Sequence, residues 1–136
     1  MFTFAPETDF YRINQAFHSA NNFKWANNGE EFSLFPSENE NYFSCSRDGE
    51  FLGLIMLRDL DGNNAEIHIA FLPEAYGKVR GIGKEFLYCM SAVIPGTVLW
   101  APVKKENSLA RSLVENLGFE YQGDDGNGYN LYCRSI

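Results

Sequence analysis

Lys78-Val79-Arg80-Gly81-Ile82-Gly83-Lys84 sets three cations and two glycines within seven residues of an acidic chain. The apolar, strand-like run Ala65–Leu72 precedes it. A segment of helical periodicity follows, with Ile82, Phe86, Leu87, Met90 and Val93 on one face. A glycine turn between strand and helix aims unpaired backbone N–H groups, and the positive end of the helix dipole, at one point. Gly81 and Gly83 carry no Cβ, so a diphosphate can approach the backbone closely. The chemistry predicted is capture of a phosphorylated ligand.

The preceding run holds a second pair of candidates. Strand alternation over Ala65–Leu72 puts Ile67, Ile69 and Phe71 on one face, and Glu66, His68 and Ala70 on the other. The oily face predicts burial. The opposite face sets a carboxylate beside an imidazole close to the glycine turn. Either group can accept a proton, directly or through water. A plain solvated strand face has the same composition.

Spacing narrows the ligand. The dinucleotide fingerprint G-x-G-x-x-G requires glycine where Phe86 stands. The P-loop pattern requires glycine at Lys78 and a hydroxyl residue at Glu85. The spacing that fits is [Q/R]-x-x-G-x-G/A, read here as K-V-R-G-I-G. A second motif follows at Asn107–Phe119, which reads N-x-x-A-x-x-L-x-E-x-x-G-F. Asn107 is a good N-cap, Leu109, Ala110, Leu113 and Leu117 form an apolar stripe, and Gly118 suits a helix stop.

With both motifs in this order, Asn64–Phe119 resembles the core of the GCN5-related N-acetyltransferases, the GNAT family. Lys78 stands where that family usually has Gln or Arg. The resemblance implies an α/β fold: a central mixed sheet of about six to seven strands with helices on both faces. It implies acetyl-CoA as co-substrate, its pyrophosphate on Lys78, Val79, Arg80, Gly81, Gly83 and Lys84. It also implies a splayed gap between Ala65–Leu72 and Thr97–Val103. The pantetheine arm would enter there and pair with the backbone of Phe71 and Leu72, with Asn107 near its thiol end.

In the family a glutamate in an A-E-I context often serves as base, which points to Glu66, with His68 as the other candidate. The tyrosine that often protonates the leaving thiol is replaced by Val114; Tyr129 or Tyr132 is a substitute. The acceptor implied is a primary amine on a small molecule or protein. The alternative is a non-enzymatic accessory or virion-associated phage protein of GNAT fold. Short length, Lys78 and Val114 fit that case.

Composition bounds the rest. At 136 residues, 45% hydrophobic and 15% aromatic, the chain predicts one domain over residues 1–136 with a substantial core. A net charge of −7 argues against nucleic acid and mildly favours a cationic partner. No 18-residue apolar run predicts a membrane span, and no signal peptide pattern opens the chain, so a cytoplasmic monomer or homodimer is expected. Cys45, Cys89 and Cys133 are widely spaced and predict reduced thiols; with two histidines and no ligand spacing, no metal site is expected.

The elements that must position these residues follow from periodicity and turn signals. Thr8–His18 reads as a helix. A short element is expected around Glu31–Phe35. Tyr42–Ser46 and Phe51–Arg58 read as a hairpin around Asp48-Gly49, then come Ala65–Leu72, the helix Gly81–Val93, Thr97–Val103 and the helix Asn107–Leu117. The hairpin Phe119–Gln122 and Tyr129–Arg134 closes the chain.

Overall fold

The computed structural model describes residues 1–19 and 33–136. Along them run β1 (Thr3–Pro6), α1 (Phe10–Phe17), β2 (Glu40–Arg47), β3 (Glu50–Asp59) and β4 (Asn64–Phe71). A 3₁₀ turn (Pro73–Ala75), α2 (Val79–Val93), β5 (Val98–Lys104), α3 (Ser108–Asn116), β6 (Glu120–Asp124) and β7 (Tyr129–Ser135) follow. The seven strands form one mixed sheet in the order β1-β2-β3-β4-β5-β7-β6. Only β4 and β5 pair in parallel. The expected α/β sheet is therefore present. Helices α2 and α3 cover one face, where Ile82, Phe86, Leu87, Met90 and Leu117 pack on Leu57, Ala65, Leu99 and Ala101. Helix α1 covers the other face, burying Ile13, Ala16 and Phe17 against Tyr42, Leu54, Met56 and Ala70.

Local sequence explains most boundaries. Asp9 caps α1, its carboxylate accepting from the Tyr11 and Arg12 N–H groups. Asp48 and Gly49 turn the β2–β3 hairpin with φ of 51° and 81°, the paired positive values a two-residue turn requires. Gly118 ends α3 with φ of 84°. The edge strand β1 was not legible in its four residues. The element expected around Glu31–Phe35 lies partly outside the described residues, and Ser33–Phe35 carry no regular structure.

Three apolar expectations need correction. Val93 is 68% exposed, at the last residue of α2. Leu109 is 84% exposed; Ala110, Leu113, Val114 and Leu117 make the packed stripe instead. Ile69 is 37% exposed; β3 pairs with it through Ile55, but the β5 ladder has already ended on its other side.

The last observation has a backbone cause. The β4–β5 register is Asn64↔Val98, Ala65↔Leu99, Glu66↔Trp100, and then stops, although both strands continue. The Val98 N–H donates to the Asn63 carbonyl at 2.7 Å. A parallel ladder of that phase next joins Ala65 to the Trp100 N–H, Trp100 to the Ile67 N–H, and Ile67 to the N–H of residue 102. Residue 102 is proline and has no N–H. The ladder ends where its donor is missing, and the strands part. β5 remains in the sheet because its other edge pairs with β7 from Val98 to Lys104.

Gly53 fixes the adjacent strand pair. The register shift between Cys45 and Ser46 leaves Leu52 as an extra residue in β3, and Gly53 follows with φ of 147°. A Cβ there would lie 2.6 Å from the Ala70 carbonyl oxygen and 2.7 Å from the Phe71 Cα. Gly53→Ala should therefore cost about 2 kcal/mol or more in urea denaturation, since only backbone movement relieves the clash. A loss below about 0.5 kcal/mol would contradict this packing of β3 on the end of β4.

Candidate active site

The gap between β4 and β5 gathers most of the chemistry named above. Leu72 donates its N–H to the Leu52 carbonyl at 2.9 Å, so the even-numbered residues of β4 point their peptide groups at β3. The odd-numbered ones, including Ile69 and Phe71, point into the gap. This corrects the expectation for Leu72: its N–H is used within the fold, and its carbonyl accepts from Ala75.

At the C-terminal end of β4 the chain turns through Pro73–Ala75 and Gly77 into α2. The glycines are not in that turn, as sequence suggested, but inside the helix. Lys78 is the N-cap residue and offers no capping side chain; its ammonium group donates to the Glu74 carbonyl at 3.0 Å. The first helical bond runs from the Ile82 N–H to the Lys78 carbonyl. The N–H groups of Val79, Arg80 and Gly81 thus have no backbone partner among the described residues. Arg80 and Lys84, one turn apart, are exposed beside them. Three donors at a positive helix end, flanked by free-standing cations, suit a phosphate group.

Gly83 has a packing role that its spacing did not suggest. A Cβ on it would meet Leu117 Cδ1 at 2.7 Å, so its small size lets α2 seat against the end of α3. At Gly81 the nearest atom to a Cβ is Phe2 Cε2 at 3.6 Å, an ordinary contact.

Asn107 caps α3, its Oδ1 accepting from the Ala110 N–H at 3.1 Å. It follows β5 after Lys105 and Glu106, at the C-terminal end of that strand. Tyr132 lies on the α3 face, buried and edge-on to Tyr121 at 5.7 Å. Tyr129 pairs with Lys104 at the far end of β5. The Cys45 thiol is buried and pushed up to about 11 by desolvation, so it is no nucleophile. Asp124 and Asp125 spend carboxylate oxygens on the Gly126, Asn127 and Tyr129 N–H groups of their own turn.

On the α1 face, Glu66 and His68 are together as expected. His68 Nε2 lies 2.5 Å from Glu66 Oε1. The same oxygen accepts from Arg58 at 3.1 Å, and Arg58 also reaches Glu40 at 2.8 Å. The hydrogen bond with His68, then the charges of His68 and Arg58, hold the Glu66 carboxyl below its ordinary value of 4.5 against the opposing effect of burial. A depressed carboxylate is a poor base. A carboxylate has no proton to give, so in this pair the imidazole Nε2–H donates and Glu66 Oε1 accepts. Glu66 Oε1 is thus already engaged by two donors, and His68 lies beside it on the same face of β4. Arg58 and Pro102 were missed by sequence reasoning. A proline inside a strand was the available signal for the second; the first needed the sheet register.

Residues 5–120 match the family model of the acetyltransferase (GNAT) domain. A domain from Methanocaldococcus jannaschii superposes with a TM-score of 0.80 at 16% identity, over 100% of this chain and 99% of that one. Aminoglycoside acetyltransferase AAC(6')-Ib, solved with coenzyme A and kanamycin, gives 0.78 at 15% identity over 99% and 95%. Spermidine N-acetyltransferase from Vibrio cholerae, solved with CoA and spermine, gives 0.74 at 20% identity over 99% and 94%. No match is found among curated proteins.

Two outcomes test this geometry. Gly83→Ala gains about 1 kcal/mol of helix propensity but overpacks Leu117, a cost of about 1–3 kcal/mol. It should destabilise the parent yet stabilise a Leu117→Ala background; the same sign in both would mean that the two residues do not touch. Glu66 tests the ion cluster. A carboxyl depressed by folding stabilises above its unfolded value, and that contribution is lost as pH falls through the folded value. The stability deficit of Glu66→Gln in urea denaturation should therefore be present at pH 7 and shrink below pH 4.5. A deficit independent of pH would show that the carboxylate charge contributes nothing.

Proposed function

The chain belongs to the acetyltransferase (GNAT) family, with acetyl-CoA as co-substrate, and we propose that it acetylates a primary amine in the gap between β4 and β5. The observation that carries this reading is the end of the β4–β5 ladder at Glu66↔Trp100. There the start of α2 lies on one side of the sheet and the His68–Glu66 pair on the other.

The residues divide the work. The N–H groups of Val79, Arg80 and Gly81, with the charges of Lys78, Arg80 and Lys84, hold the diphosphate of the co-substrate. The gap-facing peptide groups of Ile69 and Phe71 pair with its amide-bearing arm, as an added strand would. Asn107 closes the far end. Acetyl-CoA supplies an activated thioester. His68 Nδ1 takes the proton that the amine must lose, while Glu66 holds the ring through Nε2. With Val114 half-buried in the α3 packing and Tyr132 in the core, water protonates the departing thiolate. The amine is a small molecule or a protein side chain, met in the cytoplasm. The polyamine and aminoglycoside bound to related folds make the first acceptors to try.

Calorimetry should show micromolar binding of acetyl-CoA, with stabilisation near 2.7 kcal/mol at a hundredfold excess over the dissociation constant. Thiol release with a panel of amines should then fall roughly a hundredfold in His68→Gln, with acetyl-CoA affinity unchanged. No heat and no thermal shift at millimolar acetyl-CoA would put the non-enzymatic GNAT-fold reading in front.

A further inference from the structure

On the α1 face one row of side chains crosses the sheet at right angles to the strands. The register sets Glu40 of β2 opposite Arg58 of β3, Arg58 opposite Glu66 of β4, and Glu66 opposite Trp100 of β5. Within the row Arg58 Nε and Nη2 both donate to Glu40 Oε2, at 3.0 and 2.8 Å, and Nη1 donates to Glu66 Oε1 at 3.1 Å. The Tyr42 hydroxyl donates to the other Glu40 oxygen at 3.5 Å. Trp100 is fixed in turn, its Nε1 donating to Asn64 Oδ1 at 2.9 Å.

We propose that Arg58 is a positioning residue for the acetyl transfer: anchored on Glu40, it holds Glu66 where it orients His68. The inference rests on the proposed reaction, and its argument is geometric. A carboxylate on a short side chain has several rotamers, and a single contact to a neighbouring imidazole leaves them open. A guanidinium is a rigid planar fork. With Nε and Nη2 engaged on Glu40, the Nη1 edge is aimed along the row at Glu66. Arg58 thereby fixes which Glu66 oxygen faces His68 Nε2. That fixes the ring and keeps Nδ1 for the amine. Lysine cannot replace it, since one ammonium point charge does not engage both carboxylates through separate edges.

Two readouts test it on the full chain. Proton–nitrogen correlation spectra of the free protein should show a slowly exchanging, hydrogen-bonded imidazole N–H, assigned to His68 Nε2 through its loss in His68→Gln. Arg58→Met and Arg58→Lys should lose that protection while the rest of the spectrum stays folded. Its persistence in both variants overturns the inference, whatever the protein's turnover. With an acceptor in hand, Arg58→Met should lower kcat roughly tenfold or more at unchanged affinity for acetyl-CoA. In a His68→Gln background the same change should have no further effect, because a residue acting through His68 shows a non-additive cycle. Additive losses overturn the inference. A parent that neither binds acetyl-CoA nor turns over overturns the proposed reaction instead, and the exchange experiment still judges the orienting contact. If Arg58→Met unfolds, Glu40→Gln gives the milder cut: it should weaken the same protection, and full protection there counts against the anchor.

Discussion

A missing hydrogen-bond donor organises this molecule. The parallel β4–β5 ladder needs the N–H of residue 102 to continue, and Pro102 has none. A proline in the middle of a sheet is normally excluded because it wastes a ladder bond. Here the lost bond is on one edge only. The odd-numbered peptides of β5 keep their bonds to β7, so the strand stays in place while its other edge opens. The opening leaves the Ile69 edge of β4 without a ladder partner in β5, and buried peptide groups without partners are costly. Access to the gap removes that cost, and the exposed Ile69 side chain records the access. A ligand bearing amides is the natural complement to such an edge.

Everything around the gap is seated by close contacts rather than by long-range design. Gly53 brings β3 against the end of β4, and Gly83 brings α2 against Leu117 at the end of α3. The first sets where β4 stops. The second sets where α2 starts relative to the sheet, and therefore where its unpaired N–H groups point. Each glycine, by its close contact, fixes the position of neighbouring groups at the gap. Packing of this density transmits a misfit of one methyl group into backbone movement.

Apart from β1, the sequence made the element order legible, because α2 and the longer strands carry strong periodicity and their turns use glycine with positive φ. It also made the two functional stretches legible. It left some of the contacts within them unseen. Gly83 matched a phosphate motif by spacing, but spacing cannot report that Leu117 fills the space beside it. Leu72 continued an apolar run, but only the register shows its N–H committed to Leu52. Leu109 fitted a stripe one residue too wide, since the packed face of α3 is set by Ala110 and Val114. Phase could have been inferred for β5, because a proline within a strand always asks which edge is open.

The charges on the α1 face show why Glu66 reads differently in sequence and in structure. In sequence it is an isolated acid two residues from a histidine. In the sheet it is the third of a row that alternates carboxylate, guanidinium, carboxylate across β2, β3 and β4. Such a row pins the register, because a slip of one residue would send every member to the opposite face. The pairs are partly exposed, so their direct contribution to stability is small. Their greater effect is on protonation: a carboxylate that accepts from both Arg58 and His68 is kept charged and is spent as an acceptor. The row ends at Trp100, the last rung before Pro102 opens the sheet. The same register that aligns the charges therefore delivers His68 to the mouth of the gap.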